Sequence, residues 1–115
     1  MNFNELPQFQ KEFKQLTKEY RSLSQDLEQF RKIVLAVPSS KGKHFHTLHE
    51  ADGLYILKAR LFCKYLRGSS LRIIYAYQAS MELIEFIELY FKGDKENHDI
   101  GRICEHLKQY GSHAV

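Results

Sequence analysis

The apolar residues of this chain change period once, and that change limits the folds open to it. Phe9, Phe13, Leu16 and Tyr20 recur at spacings of four, three and four, one face of a helix, with Pro7 suited to its first turn. Leu23, Leu27, Phe30, Val34 and Val37 continue the helical spacing as far as Pro38, and Ser22 with Gln25 three residues later forms a capping-box pattern. The two segments make a helical hairpin. P-S-S-K-G-K (Pro38 to Lys43) then reads as a loop, and beyond it the period falls to two. In Leu54 to Lys64, Leu57, Ala59, Leu61 and Cys63 share one face, while Lys58, Arg60, Phe62 and Lys64 share the other.

A turn around Arg67, Gly68 and Ser69 leads to Leu71 to Gln78, rich in β-branched and aromatic residues, so the two runs form an antiparallel pair. Met81 to Lys92 fits helical spacing as well as strand alternation; its Ile, Phe and Tyr content favours a third strand. Asn2 to Glu5 forms a short first strand. A last helix runs from about Glu96 to Gln109, burying Ile100, Ile103, Cys104 and Leu107 and stopping near Gly111. The order β-α-α-β-β-β-α describes an α+β fold: a helical hairpin packed on one face of a small antiparallel sheet whose other face is partly open.

At 115 residues the chain is expected to be a single domain over 1–115, and its 43% hydrophobic and 27% charged content is that of a folded protein. No apolar run reaches the roughly 20 residues that span a bilayer, and M-N-F-N-E-L-P lacks the parts of a signal peptide. A soluble, cytoplasmic protein without membrane contact is expected. Cys63 and Cys104, among apolar neighbours and without metal-ligand spacing, read as reduced core thiols. The net charge of +3 is too small to imply a nucleic-acid partner, so distribution must decide.

That distribution is uneven. Lys58, Arg60 and Lys64 project from one side of a strand on which alternate residues stand about 7 Å apart, close to the spacing of phosphates along a nucleic-acid strand, and the following turn brings Arg67 and Arg72 near them. Phe62, Tyr65, Tyr75, Tyr77 and Tyr90 offer surfaces on which an unpaired base can stack. The residues alone slightly favour long cations solvating an open sheet face, with the tyrosines in the core. His44, His46 and His49 lie in K-H-F-H-T-L-H, read as a solvated loop; without completing ligands they do not make a metal site. His49 and His98 are candidates for proton transfer by position, and Glu82, Glu85 and Glu88 are possible bases. There is no Gly-rich phosphate loop, nucleophile elbow or paired-carboxylate motif, and no cofactor or metal is expected.

Four segments in order carry a family resemblance: L-P-Q-F-Q-K-E-F-K-Q-L (Leu6 to Leu16), G-L-Y-I-L-K-A-R-L-F-C-K (Gly53 to Lys64), L-R-I-I-Y-A-Y (Leu71 to Tyr77) and I-E-L-Y-F-K-G-D-K-E-N (Ile87 to Asn97). Over nearly its whole length the chain resembles the RelE/ParE superfamily, toxins of type II toxin–antitoxin modules. The resemblance implies a microbial RNase fold. RelE-type members cut mRNA on the ribosome without a metal: the ribose 2′-hydroxyl attacks the adjacent phosphate and leaves a 2′,3′-cyclic phosphate. ParE-type members act on DNA gyrase, and some relatives are inactive. A cognate antitoxin is the implied protein partner.

By that resemblance Lys58 and Arg60 match the cations of the family's second strand, Arg72 with Tyr75 its R-x-x-Y motif, and Lys92 the basic residue closing its last strand, with Lys95 as second choice. These are the implied transition-state ligands; preorganised cations on a rigid sheet suit a phosphorane. His98 falls near the family's proton-transfer residue, with Tyr90 and Glu88 as alternatives. Lys64, Arg67, Tyr75 and Tyr90 are the expected substrate contacts, Lys64 by general attraction for RNA or antitoxin. The final helix is longer than in minimal RelE-like toxins, and an extension of this kind can occupy the active face.

Overall fold

Phe9 on one helix and Leu23, Leu27, Phe30 and Val34 on the next are buried together, which fixes the hairpin against the sheet. The computed structural model describes residues 1–38, 42–66 and 70–111. In order these form β1 (Asn2–Glu5), α1 (Pro7–Glu19), α2 (Leu23–Ala36), β2 (Phe45–Ala51), β3 (Leu54–Phe62), β4 (Ser70–Gln78), β5 (Leu83–Phe91) and α3 (Ile100–Gly111). Ser39, Ser40, Lys41, Arg67, Gly68 and Ser69 lie outside the described residues, and with them parts of the expected loop and turn.

The sheet has five strands in the order β1-β5-β4-β3-β2. The expected strands are present, including the ambiguous third, but two expectations need correction. The sheet is mixed, since β1 pairs with β5 in parallel. And the histidine segment taken for a loop is β2, paired antiparallel to the edge of β3. Ala51 pairs with Leu54 across a two-residue connection in which Asp52 and Gly53 both take positive φ, at 52° and 78°. Asp-Gly suits such a turn, whose twist matches the flanking strands.

One sheet face carries Leu57, Ala59, Leu61, Leu71, Ile73, Tyr75, Ile84, Phe86 and Leu89 beneath α1 and α2, as the alternation of β3 requires. The other face does not stay free of helices, contrary to the one-sided expectation: α3 covers part of it, and Ile103 packs with Leu54, Ile56, Ile74, Ala76 and Ile87. The face of α3 also differs. Ile100 and Cys104 are exposed, while His106 is buried with its Nε2 3.1 Å from Glu85 Oε1.

Ser22 does not cap α2 as expected: its backbone is already helical, and its hydroxyl donates to Asp26 Oδ2 at 2.7 Å. The same oxygen accepts from the Lys64 backbone N–H at 3.3 Å, tying buried Asp26 to the end of β3. Val37, expected to continue the apolar face, is exposed.

Candidate functional site

The antiparallel register builds two cross-strand rows on the half of the second face that α3 leaves open. Arg60 lies opposite Arg72, and Arg72 opposite Tyr90. In the neighbouring row His46 lies opposite Lys58, Lys58 opposite Ile74, and Ile74 opposite Glu88. A register shift next to Ile74 places both Ile87 and Glu88 toward this face and leaves Phe86 and Leu89 beneath α1 and α2. Lys58, Arg60 and Arg72 therefore converge on one rigid surface. With Lys43, His44, Phe45, His46 and Ala59 they line a hollow of about 170 Å³.

Arg72 is aimed by Ser70, whose hydroxyl and carbonyl accept from its Nη1 at 2.8 and 3.2 Å. The Nζ of Lys58 lies 3.4 Å from His98 Nδ1 and 5.8 Å from the centre of the Tyr90 ring. Burial, and next the Arg72 charge, hold the Lys58 ammonium below its ordinary 10.5, with Glu88 opposing. Burial and the Lys58 charge likewise hold His98 below its ordinary 6.5, so its imidazole is neutral at pH 7. Burial and Glu88 raise the Tyr90 phenol.

Glu88 is fully buried beneath this face. It accepts from Lys95 Nζ, and from the Asp99 backbone N–H at 2.8 Å, and lies 3.9 Å from Arg102 Nη1. Arg102 in turn donates to Glu12 at 2.6 Å and to the Ile87 carbonyl. The buried carboxylate is thus engaged by the segment leading into α3. Among the described residues Lys58, Arg60 and Arg72 form no ion pair with a carboxylate.

Of the residues expected from the sequence, Lys58, Arg60, Arg72, Tyr90 and His98 come together. Tyr75 does not: three residues from Arg72 on a strand, it points to the opposite face and is fully buried under α2, with its phenol raised by burial. Tyr77 lies on that same helix side. Lys92 is exposed past the end of β5, and the second choice, Lys95, takes the position beside the site. A turn in which the N–H groups of Asp94 and Lys95 donate to the Phe91 carbonyl folds the chain back, so Lys95 Nζ lies 5.5 Å from the centre of the Tyr90 ring. Lys64 is exposed beyond the strand, and Arg67 is outside the described residues. Sequence reasoning missed Ser70 as the support of Arg72 and His46 as the rim of the hollow; strand register, once known, supplies both. No group of three or more His, Cys, Asp or Glu suited to a metal occurs among the described residues.

No family model matches the sequence, and no curated protein matches it. A chain of the crystal structure of the archaeal RelE–RelB complex from Pyrococcus horikoshii OT3 superimposes with a TM-score of 0.61 at 22% identity, covering 80% of this chain and 94% of that one. The fold is RelE-like. At that identity the likeness concerns the fold, and the RelE-like sheet here is the platform for the two rows of side chains described above.

Proposed function

We propose that this chain is the toxin of a type II toxin–antitoxin pair, acting in the cytoplasm as a metal-independent endoribonuclease on ribosome-bound mRNA. The observation that carries the reading is the convergence of Lys58, Arg60 and Arg72 on a RelE-like sheet without a carboxylate among the described residues to pair them, which suits an anionic ligand. Arg60 and Arg72 bind the scissile phosphate and stabilise the phosphorane. His98, neutral at pH 7, accepts the 2′-hydroxyl proton as the 2′-oxygen bonds to phosphorus. The bond to the 5′-oxygen breaks, and Lys58, an ammonium of lowered pKa, gives that oxygen a proton. The products are a 2′,3′-cyclic phosphate and a 5′-hydroxyl. The RelE–RelB likeness favours an antitoxin as protein partner.

The test is induction in bacteria with mapping of transcript ends. Cuts in translated mRNA bearing 2′,3′-cyclic phosphates are expected, reduced about 100-fold or more in Arg72→Ala, the scale for losing one preorganised charge donor. Undiminished translation with stalled gyrase rejects the nuclease reading.

A further inference from the structure

β3 outruns its neighbour. The Arg60 N–H donates to the His44 carbonyl at 3.0 Å, and past that point no strand of the described residues pairs with this edge of Leu61 to Lys64. Between this edge and α2 lies a groove of about 460 Å³, walled by Phe30, Ile33, Phe45, Leu61 and Phe62, with His44 and Arg60 at one end. His44, Phe45 and Arg60 also line the cationic hollow, so the two spaces adjoin through these residues.

Two walls are left unpacked: Phe62 is 57% exposed and Ile33 53%. The His44 ring meets Phe62 edge-on at 5.0 Å, and its Nδ1 is buried with no hydrogen-bond partner among the described residues. A slot with apolar and aromatic walls, polar Gln29 and Lys64 in its lining and a cationic hollow alongside suits a nucleobase joined through its sugar to a phosphate. An apolar peptide side chain fills the slot but leaves the three cations unanswered.

We propose that this groove is a nucleobase-binding subsite, holding against Phe62 and Ile33 the base of a nucleotide whose phosphate sits on Lys58, Arg60 and Arg72. It rests on the reading of that cationic face as a phosphate site and adds recognition of the flanking base.

The experiment titrates the full chain by NMR with inorganic phosphate, ribose 5-phosphate and the four nucleoside 3′-monophosphates. At least one nucleotide is expected to bind about 10-fold tighter than ribose 5-phosphate, the scale of one base stack, shifting amides around Phe62 and Ile33. In Phe62→Ala, and independently in Ile33→Ala, that nucleotide is expected to bind no better than ribose 5-phosphate; both side chains are exposed, so both variants should fold. Phosphate binding without any preference for nucleotides overturns the subsite alone. Absence of phosphate binding overturns the cationic face and the subsite with it. Occupation of the groove by an acidic aromatic peptide, with no nucleotide bound there, assigns it to a protein partner and likewise overturns the proposal.

Discussion

Replacing Glu88 by alanine should uncouple α3 from the sheet, and the cost can be worked from its contacts. The carboxylate is fully buried and accepts two charge-assisted hydrogen bonds, from Lys95 Nζ and the Asp99 N–H. Hydrogen bonds to charged groups contribute about 1.5–3 kcal/mol each. The Lys95 side chain is 40% exposed and can return to water, so its bond counts at the low end. The Asp99 N–H counts more, because it lies just before α3, where Arg102 N–H already takes the Asp99 side chain at 3.2 Å. A loss of about 3 kcal/mol follows for Glu88→Ala, and about half that for Glu88→Gln, whose amide oxygen still accepts from Asp99. With a urea m-value of about 1–3 kcal/mol/M, the alanine variant should unfold at a midpoint lower by roughly 1 M or more. Amide exchange should accelerate first in α3, the segment Glu88 holds. A midpoint shift under about 0.3 M, together with unchanged exchange in α3, refutes the assignment of Glu88 as the anchor.

Three further outcomes are expected. Binding of single-stranded RNA should weaken with salt, with about −0.7 of the logarithmic slope coming from the one phosphate held by Lys58, Arg60 and Arg72, and the Arg60→Ala/Arg72→Ala double variant should flatten it by about that amount; a slope unchanged in that variant removes these side chains from the interface. His98, held below 6.5 by burial and Lys58, is harder to protonate folded than unfolded, so its contribution to stability is present above pH 6.5 and lost as pH falls through the folded value. NMR titration of the His98 ring should give a midpoint below 6.5, and urea midpoints at pH 7 and pH 5 should differ less in His98→Gln. Tyr75→Phe should stabilise the chain by about 1 kcal/mol, since its buried hydroxyl has no partner among the described residues, and should leave phosphate affinity unchanged; a weakened phosphate contact returns Tyr75 to the site.

The legible parts of this fold are those where side-chain pattern and burial agree. β3 is read correctly because both its faces speak: Leu57, Ala59 and Leu61 are buried, and Arg60 and Phe62 are exposed. β2 escapes because an edge strand that packs mainly through Phe45 and Leu48 alternates weakly, and H-T-L-H offers little apolar contrast. The Asp52–Gly53 pair was the available signal, a two-residue hairpin connection flanked by Ala51 and Leu54. The face of α3 was not legible from hydrophobicity. His106 replaces Ile100 in the interior because Glu85, distant in sequence, meets its ring. Tyr75 shows a limit of motif matching, since a spacing of three along a strand reverses the face whatever the motif implies.

The arrangement of charge bears on function more than the net charge does. Arg60 directly opposite Arg72 is a like-charge rung, a pairing that destabilises a sheet when nothing offsets it. Glu88, buried beneath this face, does not neutralise that rung, because its oxygens are committed to Lys95 and Asp99. The cost of the rung therefore persists in the free protein and is relieved when an anion binds across it. Such a face gains affinity from repulsion removed as well as from contacts made, and the gain depends on both arginines together. A double-mutant cycle on phosphate binding should accordingly show Arg60→Ala and Arg72→Ala to be non-additive; strict additivity would mean that the two guanidinium groups do not share one anion.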